Sequence, residues 1–227
     1  MLFAMDREIQ PAPSPSKATG EANHTGGAWK AAASAAMDRY ASGEDAAFLE
    51  LYDLLAPRLS AFLLRRTRDA SHTEDLLQQT FLQMHHARRH FGKGADVTPW
   101  AYAIARRLFI DAFRKRGRDG PRVDAETDEE CEGTSPDASP ETVLGRRQLA
   151  KQVERELARL PEAHRVAFEL VQCDGLTIAE AAEALGTTVA AVKLRTHRTY
   201  LALRSALGDG VRAELRETLA RSVGRSD

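Results

Sequence analysis

Apolar residues recur at helical spacing through two blocks of this chain. In the first, Phe48, Leu51, Tyr52 and Leu55 repeat at i, i+3, i+4 and i+7, and Leu59, Phe62 and Leu63 follow Pro57. Leu76, Leu77, Phe81 and Met84 mark a further helix, with Ser71 or Thr73 as its cap and acidic residues in its first turn. FGKGADV interrupts the pattern, and Thr98-Pro99 opens another helix with Pro99 at the first helical position, carrying Trp100, Ile104, Leu108 and Phe109. In the second block, TIAEAAEALGTTVAAVKLRTHRTYLAL reads as two helices about a tight turn. Val211, Leu215 and Leu219 predict a short helical tail beyond it.

The composition, rich in Ala, Leu, Arg and Glu, favours helix throughout. The predicted fold class is all-α: two small helical domains joined by a flexible acidic linker, the C-terminal one a helix-turn-helix. The boundaries are a disordered tail over 1–35, a helical domain over 36–116, the linker over 117–140, the second domain over 141–207 and a partly helical tail over 208–227. The first of these rests on PAPSPSKATGEANHTGGAWKAAAS, which has no periodic apolar face.

Charge changes the picture. The chain carries a formal −1 overall, which at first argues against a nucleic-acid partner. Between Gly117 and Thr142, however, nine acidic residues stand against two basic ones, so the rest of the chain carries +6. The two cysteines, Cys131 and Cys173, are far apart and suit a reducing compartment. No apolar run approaches membrane-spanning length, and the opening MLFAMDREIQ is too short for a signal peptide. A cytoplasmic protein without membrane insertion is expected.

In the second block, Thr177 and Glu180 form a T-x-x-E capping box. Ala182 and Gly186 allow close helix crossing and a positive-φ turn, and Val192 plugs the second helix from inside. Thr187 and Thr188 can cap that helix and bring its amides near a phosphate. On a helical wheel Val192, Thr196, Thr199 and Leu203 face inward, while Ala190, Lys193, Leu194, His197, Arg198 and Leu201 face outward. No acidic side chain occurs from Gly186 to Leu207. The outward face suits base edges and phosphates in a major groove, with a solvated face of an ordinary hairpin as the plainer reading.

The first block has different chemistry. Asp75, Gln78, Gln79 and Leu82 fall opposite the core residues of their helix, a fair protein-docking face and equally a solvated one. PWAYAIARRLFIDAFRKRGR interleaves Trp100, Tyr102, Phe109 and Phe113 with Arg106, Arg107, Arg114, Lys115 and Arg116. Aromatics among cations suit single-stranded nucleic acid, and aromatics at helical spacing also suit a core. His86 and His90, i and i+4 beside His85, could share a metal, although no Glu or Cys at ligand spacing completes the set. Nothing resembles a catalytic pair, a Walker loop or a hydride-cofactor fingerprint, so neither an enzyme nor a cofactor is expected.

The stretches TEDLLQQTFLQMH, TPWAYAIARRLFIDAFRKR and LPEAHRVAFELVQCDGLTIAEAAEALGTTVAAVKLRTHRTYLAL together resemble an extracytoplasmic-function (ECF, group 4) sigma factor of the sigma-70 family. The resemblance implies a region 2-like domain over 36–116 and a region 4-like helix-turn-helix over 141–207. It implies a subunit of bacterial transcription initiation with no catalysis of its own. Asp75, Gln78, Gln79 and Leu82 would meet the β′ clamp of core RNA polymerase, Gln79 standing where Glu is usual. Trp100, Tyr102, Arg106, Arg107, Asp111, Arg114 and Lys115 would bind and melt the −10 element, Arg107 replacing the common Asn. Thr187, Thr188, Lys193, Leu194, Arg195, His197 and Arg198 would read the −35 element, Arg195 as a phosphate contact. The partners implied are core polymerase at its β′ clamp and β flap, promoter DNA and an anti-sigma factor. The acidic linker would either mimic RNA in a basic channel or serve as a plain spacer. A stand-alone helix-turn-helix regulator and a histidine-based metal sensor are the competing readings.

Overall fold

A computed structural model describes residues 27–119 and 140–207. Most of the expected tail, the acidic linker and the C-terminal segment with Val211, Leu215 and Leu219 lie outside the described residues. Among those described there are eight α-helices, one short 3-10 turn at Arg88–His90 and no strand, so the fold is all-α. The chain divides into two compact units, Met1–Val123 and Asp124–Asp227.

The first unit packs α1 (Ala28–Ala41), α2 (Ala47–Thr67), α3 (Ala70–Ala87) and α4 (Val97–Asp119). Helix α1 begins inside the stretch assigned to the tail, which corrects that boundary. Its face is built mainly from small residues, so no apolar period announces it: Ala33 and Ala36 are buried beside Met37 and Tyr40. Alanine favours helix, and its small side chain lets α1 lie close on its neighbour. The two helices are antiparallel: the Arg58 guanidinium lies 4.0 Å over the Trp29 ring, and Tyr40 packs on Phe48 at 5.3 Å.

Pro57 stays within a continuous α2. The carbonyl it leaves without a donor belongs to Asp53, and both residues are exposed, so water can satisfy it. Helix α2 ends on Arg68 in the left-handed region (φ 50). Asp69 then caps α3 in place of the expected Ser71 or Thr73, accepting a hydrogen bond from the His72 N–H at 3.0 Å. The connection is so short that α3 starts at Ala70, which puts both expected caps inside it. Thr73 is buried instead, its hydroxyl donating to the Asp69 carbonyl at 2.8 Å.

Helix α4 starts at Val97, so Pro99 is its third residue and not its first. The first turn has no intrahelical partners for its N–H groups, so Pro is tolerated there. The cap is Asp96, whose carboxylate accepts from the Thr98 N–H at 2.8 Å. Ser34 of α1 accepts from the Val97 N–H at 3.2 Å, and Asp38 accepts from the Gly94 N–H at 3.1 Å. Helix α1 therefore pins the start of α4.

The second unit packs α5 (Pro140–Arg159), α6 (Glu162–Gln172), α7 (Ile178–Ala184) and α8 (Val189–Leu207). Val153, Leu157, Phe168 and Leu203 form its core, with Leu149, Leu160 and Leu207 against them. Ala181, Ala182 and Ala184 are buried on α7 and keep it near α8.

Candidate nucleic-acid and protein interfaces

In the second unit the turn is closed as its residue types require. The Thr177 side chain accepts from the Glu180 N–H at 3.2 Å while the Glu180 carboxylate accepts from the Thr177 N–H at 2.7 Å. Gly186 has φ +59, a conformation costly to any residue with a Cβ. The Thr188 hydroxyl caps α8 by accepting from the Ala191 N–H at 3.1 Å. Thr187 plays a different part from the one expected. Its N–H is taken by the Ala182 carbonyl at 2.9 Å, so it closes the turn and offers no amide to a phosphate.

Burial along α8 follows the wheel. Val192, Thr199 and Leu203 are fully buried, and the Thr199 hydroxyl donates to the Arg195 carbonyl at 3.0 Å. Lys193, Leu194, His197 and Arg198 are exposed, Leu194 at 49%. Arg195 is half-buried, off the outward face. The exposed row can present three nitrogen-bearing side chains and one apolar contact to a groove.

In the first unit Leu76, Leu77, Phe81 and Met84 anchor α3, and Asp75, Gln78, Gln79 and Leu82 are exposed together, Leu82 at 54%. Sequence reading placed Tyr52 in the core stripe of α2. It is partly exposed instead, packing on Phe81 at 4.7 Å, and Leu49 beside it is more exposed still. Both add apolar surface next to α3. Periodicity counted Tyr52 as core because its ring does reach Phe81, and only the packing shows its outer edge.

Helix α4 separates its aromatics. Tyr102 is fully buried, edge-on to Phe62 at 5.0 Å, and Trp100 is 7% exposed against Phe91 at 5.2 Å. The expected direct contacts of Trp100 and Tyr102 with DNA are therefore corrected: these rings fix α4 in the core. Arg107, Arg114 and Lys115 are exposed, whereas Arg106 and Asp111 are half-buried. Phe113, absent from the expected contacts, is 59% exposed. Ser34 and Asp38 were also missed, because nothing in their sequence neighbourhood signals a bond to a loop some sixty residues on.

The histidines are placed otherwise. His85 Nδ1 meets the Tyr40 hydroxyl, and its Nε2 lies 3.1 Å from the Arg88 guanidinium. Among the described residues no group of three or more His, Cys, Asp or Glu could hold a metal ion. Burial pushes the Tyr40 hydroxyl pKa up, opposed by Arg88 and aided by Asp45, and burial lowers that of Arg58. Among the described residues no helix is long and apolar enough to cross a membrane.

Two families of sequence match the chain, one in each unit: "Sigma-70 region 2" over residues 51–119 and "Sigma-70, region 4" over 150–203. The fold is shared with the sigma factor RpoE of Bartonella quintana, solved with the anti-sigma factor NepR. That structure has a TM-score of 0.57 and 24% identity, and the match covers 70% of this chain and 96% of that one. RNA polymerase sigma factor CarQ of Myxococcus xanthus is 33% identical over 76% of this chain and 96% of its own length. ECF RNA polymerase sigma factor SigF of Caulobacter vibrioides is 34% identical over 74% of this chain and 90% of its own. The chain belongs to the ECF group of sigma-70 RNA polymerase sigma factors. Proteins of this family are transcription-initiation factors.

Proposed function

We propose that the chain docks on bacterial core RNA polymerase through the exposed face of α3 and directs initiation by reading two promoter elements. Asp75, Gln78, Gln79 and Leu82 meet the β′ clamp, and Leu49 and Tyr52 widen that contact. Lys193, Leu194, His197 and Arg198 enter the −35 major groove, Arg195 and Thr188 flank the phosphates, and the second unit rests on the β flap. Arg107, Arg114 and Lys115 follow the −10 strand, with Arg106 and Asp111 beside them. The protein acts in the cytoplasm, and an anti-sigma partner covers both working faces.

The observation that carries this reading is the presence, each in a unit matching its own sigma region, of an exposed α3 face with one carboxylate, two amides and a leucine and of an acid-free basic face on α8. Charge alone favours nucleic acid for α8 and protein for α3.

Run-off transcription with core polymerase, paired with a core-binding assay, tests it. Lys193→Ala or Arg198→Ala is expected to weaken −35-dependent initiation and leave core binding intact. Asp75→Ala with Gln78→Ala is expected to weaken core binding. Failure of the wild-type chain to bind core or to select a start site would overturn the reading, and specific duplex binding without polymerase would favour the stand-alone regulator.

A further inference from the structure

Among the described residues the second unit exposes three large apolar side chains, Val189 at 43%, Leu194 at 49% and Leu201 at 47%, and all three lie on α8. Val189 starts the helix, and Leu194 sits among the groove-facing residues of its first half. Leu201 stands apart from them. It lies about 18 Å beyond Val189 in a helix of 19 residues, whereas base edges are met by the first turns of such a helix. Leu194 and Leu201 are about two turns apart, so they share one stripe with the exposed Ala190.

The sequence after α8 is suited to cover that stripe. Leu207 is followed by Gly208-Asp209-Gly210, and the two glycines let a chain reverse in a tight helix–helix connection. Val211, Leu215, Leu219 and Val223 then recur at every fourth position, the spacing of one apolar helix face. Laid antiparallel to α8 with Val211 level with Leu207, such a helix brings Leu215 and Leu219 to either side of Leu201. Val223 then falls beside Leu194. Four acids (Asp209, Glu214, Glu217, Asp227) and four arginines (Arg212, Arg216, Arg221, Arg225) leave 208–227 electrically neutral, so apolar spacing and not charge selects the match. A second copy of the chain is the poorer occupant. Two half-exposed leucines fall far short of the roughly 1,000 Å² that a stable interface buries, while a tethered segment acts at millimolar effective concentration.

We propose that residues 211–223 fold back as an amphipathic helix on the outward face of α8 and compete there with DNA. The contact covers Leu194, Leu201 and, between them, His197, so α8 enters a groove only when the tail has lifted. The inference rests on the −35 role proposed above for α8 and adds to it a competitor carried by the same chain.

Two measurements on the full chain test it. In a Cys131→Ser background that keeps the buried Cys173, Leu201→Cys is combined with Leu215→Cys, with Leu219→Cys or with Glu217→Cys, and each pair is oxidised. Glu217 is level with Leu201 but on the opposite face of the tail helix. The first two pairs are expected to close an intramolecular disulfide about 10-fold faster than the third, because the bond needs facing Cβ atoms about 4 Å apart. Equal rates for all three would overturn the folded-back contact. The second measurement is binding of a −35 duplex, without polymerase, by wild type and by Leu215→Ser with Leu219→Ser. The variant is expected to bind about 10-fold more tightly, the gain from freeing a face that is open one-tenth of the time. A variant that binds no more tightly than wild type would overturn the competition. Failure of the −35 reading is seen separately: −35-dependent run-off by the holoenzyme that survives Lys193→Ala would remove the DNA role of α8 itself.

Discussion

In the first unit the fully buried side chains are large: Tyr102, Phe62, Met37, Met84 and the leucines 51, 55, 59 and 63. In the second, Leu170, Leu203 and Val192 are fully buried, with Leu157, Phe168 and Leu176 nearly so, and buried alanines recur in both units. The two units therefore differ less in their cores than in the turn chemistry between helices. Both pack large apolar groups across four helices, and the second adds a capping box on α7 and a positive-φ glycine at the turn between α7 and α8. A docking platform, the role proposed for the first unit, has only to be rigid. A groove reader, the role proposed for the second, has to hold one helix at one angle to its neighbour, and local geometry controls that angle.

This contrast can be broken or sharpened by substitution. The largest expected effect is Phe62→Ala, which removes the ring between Tyr102 and the Arg66 guanidinium 3.7 Å above it and should cost the first unit about 3–5 kcal/mol. Leu203→Ala, at the centre of the second unit, should cost about 2–5 kcal/mol. Calorimetry of the full chain should show each variant lowering a different transition. A common shift of both would mean that the units unfold as one and would erase the comparison.

Gly186→Ala meets no atom within 4 Å, so its cost is conformational alone, about 1–2 kcal/mol, and should appear in chemical denaturation of the second unit. A −35 defect larger than that loss implies would show that the turn angle matters beyond stability. Thr177→Ala removes one side of the capping box and should cost about 1 kcal/mol.

The smallest effect is a pH dependence in the first unit. The Tyr40 pKa is raised by burial, so above the ordinary tyrosine value of about 10 the unfolded chain loses its proton before the folded one does. Stability should fall with rising pH from there until the folded hydroxyl ionises too, and below it this group adds no pH dependence. Tyr40→Phe should flatten that alkaline slope in thermal melts; an unchanged slope would assign it to another group.

Sequence alone determined the helical character of the chain, the outward row Lys193, Leu194, His197 and Arg198, the capping box, and the exposed row Asp75, Gln78, Gln79 and Leu82. Each follows from repeats within a few residues, where helical geometry is fixed by the backbone. Tertiary structure decided the rest. Helix α1 was hidden because alanines carry little hydrophobic signal although they pack well, and Asp69 displaced Ser71 and Thr73 because the chain had to turn where α2 ended. Ser34 and Asp38 gained roles only when α1 met the loop before α4. The aromatics of α4 looked alike in the sequence. Only the point at which that helix leaves its neighbours buried Trp100 and Tyr102 and left Phe113 in solvent, since burial depends on which elements end where and not on the spacing within one helix.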